Sequence, residues 1–169
     1  MSKYCINNRG PLLPNLWALK GNDFLATIIF VSDQSIALEI SCDQSIVYIA
    51  AIYASTYYVK RRQFWTDLTH LQGCFQGPWL YKRPPPLSCE DFLNWKNANV
   101  LNHLPTLGPF YTWTNGRFGN DNVALRLDRA VCNEEWINFW RNSTCSALVH
   151  HQSDHNPILL SLMMIVENW

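Results

Sequence analysis

The chain has 169 residues, of which 48% are hydrophobic and 14% aromatic, and 13 Lys and Arg balance 13 Asp and Glu for a formal net charge of zero. That content can bury a sizeable core and excludes a disordered, low-complexity chain, while the balanced charge supplies no overall electrostatic footprint of a nucleic-acid binder. No stretch reaches the roughly 18 apolar residues that span a bilayer, the N-terminus has no signal-like apolar core, and the scattered Cys5, Cys42, Cys74, Cys89, Cys132 and Cys145 form no C-x-x-C pair. An intracellular, soluble protein without membrane contact, structural zinc or a disulfide framework is expected, as one domain over 1–169.

Along the chain, Ile36, Leu38 and Ile40 alternate with polar or small residues, and 46–52 is a β-branched apolar run. Two adjacent strands follow, the second buried on both faces, with turns at Asp33-Gln34 and Asp43-Gln44. Over 58–71 the spacing of Arg61, Phe64, Trp65, Leu68 and Leu71 predicts an amphipathic helix, with Thr56 available as its cap. A short strand at 78–81 runs into Pro84-Pro85-Pro86, which stops it. Ser88 and Asp91 then open a helix carrying Phe92, Leu93 and Trp95 that ends near Asn99. Asn115-Gly116 predicts a tight reversal after the aromatic run 110–113, and the alternation of 123–131 predicts one strand of a hairpin. Asn133 caps a short helix with Trp136, Phe139 and Trp140, and strands at 146–149 and 158–164 close an α/β domain. Trp113, Trp136 and Trp140 are expected in the core.

Chemistry concentrates late in the sequence. In Ser153-Asp154-His155-Asn156-Pro157-Ile158 a carboxylate and an imidazole stand side by side at the mouth of a strand, a pairing able to hold a hydrated metal and a phosphate oxygen. The same run also has an ordinary explanation, since Ser and Asp cap turns and Pro opens strands. His150 and His151 raise a second idea, a histidine metal site. Adjacent strand residues face opposite ways, so at most one of the two could join His155. Arg126 and Asp128, two apart, share one face of a predicted strand and could pair there. Asn115 and Arg117 could touch a DNA backbone, although an Asn-Gly turn explains Asn115 without a ligand.

Three motifs in order, Thr112-Trp113-Thr114-Asn115-Gly116-Arg117, then Arg126-Leu127-Asp128-Arg129-Ala130, then Ser153-Asp154-His155-Asn156-Pro157-Ile158, resemble the ending of the endonuclease/exonuclease/phosphatase superfamily in the form carried by plant LINE-type retrotransposons. Ile49-Ala50-Ala51-Ile52-Tyr53-Ala54-Ser55 and Arg61-Arg62-Gln63-Phe64-Trp65 resemble its central strand and following helix, so the likeness runs from about Arg9 to about Leu162. The resemblance implies a four-layer sandwich of two β-sheets flanked by helices, here a fragment incomplete at the N-terminus. It implies catalytic roles for Asp154, His155 and Tyr53, with Asp154 at a Mg²⁺ ion. It further implies substrate contacts from Asn115, Arg117, Arg126 and Asp128, and DNA as the partner, reached in the nucleus.

One family element is absent. A Gly-Asp-Phe-Asn strand end, source of the general base, should follow Gly77-Pro78-Trp79-Leu80, and a Pro-rich junction at 81–87 stands in its place. An N-terminal Asn and a metal-binding Glu are wanting as well. General base catalysis alone contributes about 10²–10⁴-fold. The expected function is therefore a retrotransposon-derived endonuclease-like domain, a hydrolase by resemblance, whose Mg²⁺-dependent cleavage of DNA is impaired. A non-catalytic remnant that binds DNA and a phosphatase of the same superfamily are the alternatives.

Overall fold

The structure is a computed structural model that describes residues 2–20, 25–42, 45–82, 90–149 and 154–162. The strands are β1 (Ser2–Ile6), β2 (Trp17–Lys20), β3 (Leu25–Val31), β4 (Ser35–Cys42), β5 (Ser45–Ile52), β6 (Trp79–Lys82), β7 (Asn102–His103), β8 (Thr106–Leu107), β9 (Trp113–Thr114), β10 (Ala124–Leu125), β11 (Ala130–Cys132), β12 (Thr144–Ala147) and β13 (Ile158–Ser161). The helices are α1 (Tyr58–Cys74), α2 (Glu90–Ala98) and α3 (Glu134–Phe139). A six-stranded sheet has the order β3-β4-β5-β6-β11-β7, and a three-stranded sheet the order β13-β12-β8. Two-stranded pairs β1-β2 and β9-β10 complete the set.

The large sheet works because its central strands carry apolar side chains on both faces. Tyr48, Ala50 and Ile52 of β5, Trp79 and Tyr81 of β6 and Val131 of β11 point into one core with Phe64, Trp65, Leu68 and Leu71 of α1 and Phe92 and Trp95 of α2. The intervening Val47, Leu80, Ala130 and Cys132 point the other way, into a second core with Trp136, Trp140, Cys145 and the half-buried Ile158 and Leu160. Period-two alternation thus splits each strand between two cores. Each large side chain so buried contributes on the order of 1.5–3 kcal/mol. The result is an α/β domain of two main sheets with helices, as expected.

Polar residues tie the layers. Asp91 accepts from Arg61 Nε at 2.9 Å and from Trp65 Nε1 at 3.3 Å, which joins α2 to α1. Arg61 also donates to the carbonyls of Ser55 and Thr56, so this member of the basic run 60–62 is built into the scaffold. Asn133 caps α3 as expected, accepting from Trp136 N, and its Oδ1 also takes the N–H of Trp79 while Nδ2 donates to Gly77 O. Gly108 adopts φ +92°, and a Cβ there would lie 2.3 Å from the Ala147 carbonyl, so only glycine lets β8 approach β12.

Several expectations are corrected. The N-cap of α1 is Tyr57, without a side-chain cap bond, not Thr56. The segment 123–131 is not one strand: β10 pairs with β9, while β11 joins the large sheet, because the inward apolar partners of Ala130, Val131 and Cys132 lie on β6. The reversal at Asn115-Gly116 is a longer loop with a 3₁₀ turn at Gly119–Asp121, and Asn115 organises it. The penultimate strand is shifted to Thr144–Ala147. The turn at 43–44, the junction from 83 to 89 with Ser88, His150, His151, Ser153 and the strand end at 163–164 lie outside the described residues. Among those described, no helix is long and apolar enough to cross a membrane.

Candidate functional site

Four strand ends meet at one edge of the molecule. Strands β5 and β6 are parallel, with Ala51 opposite Lys82, so Tyr53 and Lys82 emerge at the same end. Strand β11 runs antiparallel to β6 with Ala130 opposite Lys82, which brings the preceding Asp128 to that end as well. Strand β13 starts there too, preceded by Asp154, His155 and Asn156. Together Tyr53, Lys82, Asp128, Asp154, His155 and Asn156 line a cavity of ≈ 610 Å³. The residues expected from the sequence as catalytic, Tyr53, Asp154 and His155, are thus brought together, with Asp128.

At its centre, Nδ1 of His155 lies 2.8 Å from Oδ2 of Asp128. Asp128 is buried and His155 partly so. With the carboxylate as acceptor, Nδ1 is the donor of this pair, and Nε2 is then an acceptor in a neutral ring and a donor in a protonated one. Asp128 is held in turn by its own backbone N–H, which donates to Oγ1 of the buried Thr112 at 2.7 Å.

The segment 111–114 is the strut of this site. Trp113 donates from Nε1 to Asp154 Oδ2 at 2.9 Å, and Thr114 N donates to Asp154 O at 3.0 Å. Asn156 N donates to Thr112 O at 2.7 Å, and Asn156 Nδ2 to Tyr111 O at 2.9 Å. Trp136 and Trp140 are buried as expected, but Trp113 is only half-buried, which corrects its placement in the core. It braces a carboxylate instead. Sequence reasoning missed Thr112, Trp113 and Asn156 as site residues, although all three belong to motifs it singled out.

Lys82 belongs to a basic pair, Lys82-Arg83, whose ordinary reading from the sequence is solvated surface, and it lines this cavity. It ends β6, and its place in the cavity follows from pairing with β5 and β11.

The other residues expected to touch substrate are elsewhere. Asn115 and Arg117 lie on an exposed loop, where Asn115 Oδ1 accepts from Arg117 N at 3.2 Å and Val123 N at 3.0 Å. Nδ2 of Asn115 donates to Asp121 O at 2.8 Å, so the side chain acts as a loop brace. Arg126 does not share a strand face with Asp128; it lines a separate cavity, its guanidinium 5.8 Å from the centre of the Phe110 ring.

Mg²⁺ takes an octahedron of oxygen donors, commonly one or two carboxylates with water and substrate oxygens. Here Oδ2 of Asp128 is engaged by His155, Oδ2 of Asp154 by the Trp113 indole, and an ammonium lines the same cavity. Among the described residues no three His, Cys, Asp or Glu side chains are grouped to hold an ion. The described donors of this cavity do not by themselves fit a Mg²⁺ site.

No family model matches the chain, and no curated protein matches it in sequence. Solved structures do. The fold is similar to the endonuclease domain of TRAS1, a telomere-specific non-LTR retrotransposon, with a TM-score of 0.69 at 10% identity, covering 86% of this chain and 71% of that one. It is also similar to beta toxin from Staphylococcus aureus, with a TM-score of 0.56 at 10% identity over 78% of this chain and 58% of the toxin. A mutant of that toxin with bound magnesium ions gives 0.51 at 8% identity over 76% and 54%. The chain therefore spans less than two thirds of the toxin structures. Two main sheets with helices, the motif order and the TRAS1 likeness agree: this chain has the endonuclease/exonuclease/phosphatase fold.

Proposed function

We propose that the chain is a retrotransposon-derived, endonuclease-like domain that retains a cavity for a DNA phosphodiester and has lost Mg²⁺-dependent hydrolysis. The observation that carries this reading is the convergence of Tyr53, Lys82, Asp128, Asp154 and His155 on one cavity at the ends of β5, β6, β11 and β13. The phenol and the ammonium, and the imidazole in its protonated form, are donors suited to phosphate oxygens. The plant LINE-like motifs and the likeness to a retrotransposon endonuclease domain support DNA over a small phosphomonoester.

Loss of hydrolysis is supported by chemistry. In-line attack on a phosphodiester requires a base to generate hydroxide and a cation to stabilise the developing charge. The strand end that supplies the base in the family is replaced after Leu80, and the carboxylates of the cavity do not make a Mg²⁺ site.

Supercoiled plasmid incubated with the chain and Mg²⁺ should remain unnicked above background, while a labelled DNA duplex should bind and His155→Ala should weaken that binding about tenfold. Robust nicking that His155→Ala abolishes would overturn the loss of hydrolysis. Absence of duplex binding would overturn the proposed function itself.

A further inference from the structure

The link between β10 and β11 turns its charged side chains to opposite sides. Asp128 faces His155, whereas Arg126 and Arg129 line a second cavity of ≈ 450 Å³ with His103, Thr106 and Phe110. Among the described residues, no Asp or Glu lines it. Two guanidiniums therefore share a concave surface, and the nearby carboxylate of Asp128 lines the other cavity.

Their situation is costly as it stands. Arg129 donates from Nη2 to the carbonyl of Arg126, but its Nε is buried with no hydrogen-bond partner among the described residues. Burial and then the neighbouring Arg126 charge hold Arg129 below the usual arginine value, with Asp128 opposing the shift. Desolvation followed by Arg129, Lys96 and Arg126 pushes His103 below the ordinary histidine value, which keeps that imidazole neutral beside three cations. Two guanidiniums together on one concave surface are the environment of an anion site. A forked guanidinium also matches the geometry of a phosphate better than that of any neutral ligand.

An aromatic surface adjoins the charges. Phe110 is 67% exposed, and Tyr111 meets its edge at a centroid distance of 5.1 Å. Packing of Arg126 over Phe110 accounts for where the guanidinium rests, but it neutralises no charge and leaves most of the ring open to solvent. A phosphate with an unstacked base attached would satisfy both features, the phosphate at the arginines and the base on the ring.

We infer that the Arg126, Arg129 and Phe110 cavity binds a nucleotide of a single strand, on the same strand as the nucleotide whose phosphate lies at His155. This rests on the nucleic-acid reading of the first cavity. A strand crossing the 126–129 link then meets a phosphate site on each side of it, and the substrate class becomes DNA with an unpaired stretch.

The test measures fluorescence anisotropy of a labelled single-stranded oligonucleotide binding to the full chain over a salt series. Arg126→Ala should weaken binding about tenfold and reduce the slope of log affinity against log salt by about 0.7, the value of one phosphate contact on a single strand. Phe110→Ala should weaken it about fivefold to a hundredfold, and should have little effect on an abasic strand, which has no base to stack. Arg141→Ala, at an exposed arginine after α3, controls for the loss of one positive charge, and thermal melting checks that each variant folds. If Arg126→Ala and Phe110→Ala behave as Arg141→Ala does while the unmodified chain still binds duplex, the second site is refuted and the first cavity's reading stands. If the unmodified chain binds neither duplex nor single strand, both fall.

Discussion

Oδ2 of Asp128 and Nδ1 of His155 meet at 2.8 Å across 27 positions of sequence, and the carboxylate is almost wholly buried. The contact orients the imidazole and decides which ring nitrogen faces the cavity. In Asp128→Asn the amide can turn its NH₂ toward Nδ1, which would move the ring hydrogen to Nε2. Long-range ¹H–¹⁵N NMR should report that change of tautomer. An unaltered tautomer in the variant would show that Asp128 does not set the ring.

Trp113 holds Asp154 through one indole N–H at the surface of the site. Trp113→Phe retains the aromatic packing and deletes only that donor, so urea unfolding should show a loss of about 0.5–1.5 kcal/mol, toward the low end because water competes for the carboxylate. Trp113→Ala should cost more, since packing goes as well. Equal stability of the phenylalanine variant and the parent chain would mean that the bond contributes nothing in solution.

Lys82 puts a positive charge in a cavity that also contains two carboxylates. The parent chain should therefore show no change in melting temperature on addition of Mg²⁺. Lys82→Asp replaces the cation by a third carboxylate at the end of β6, and Mg²⁺ should then raise the melting temperature, with a stabilisation of ~2.7 kcal/mol when the ion is at about a hundred times its dissociation constant. A Mg²⁺-dependent rise in the parent chain would contradict the mismatch between donor set and metal.

Burial pushes the Cys132 thiol from an ordinary 9.0 up to about 12, and that of Cys145 in the same direction. Above the ordinary value the unfolded chain releases these protons while the folded chain keeps them, so stability falls as pH rises. The contribution from Cys132 is fully present below about 9 and is lost as pH climbs toward 12. Under reducing conditions, denaturation midpoints of Cys132→Ala should decline less steeply over that window than those of the parent chain. Parallel declines would indicate that the thiol ionises as readily folded as unfolded.

Sequence alone was sufficient where a pattern is local. The alternating 46–52 run became β5, the 58–71 periodicity became most of α1, and Asn133 capped α3, because strand pleat, helical turn and cap each depend on residues a few positions apart. Motif order was legible as well. The resemblance of the motifs to a family let Tyr53, Asp128, Asp154 and His155 be named together before their contacts were known. Tertiary structure decided everything that depends on which sheet a strand joins. It divided 123–131 between β10 and β11, and so sent Arg126 and Arg129 to one cavity and Asp128 to another. It drew Trp113 from an expected core onto Asp154, and it brought Lys82 to the same cavity through pairing with β5 and β11. Side-chain direction reverses with every step along a strand, so a shift in pairing partner exchanges core, site and solvent for residues whose local sequence reads alike.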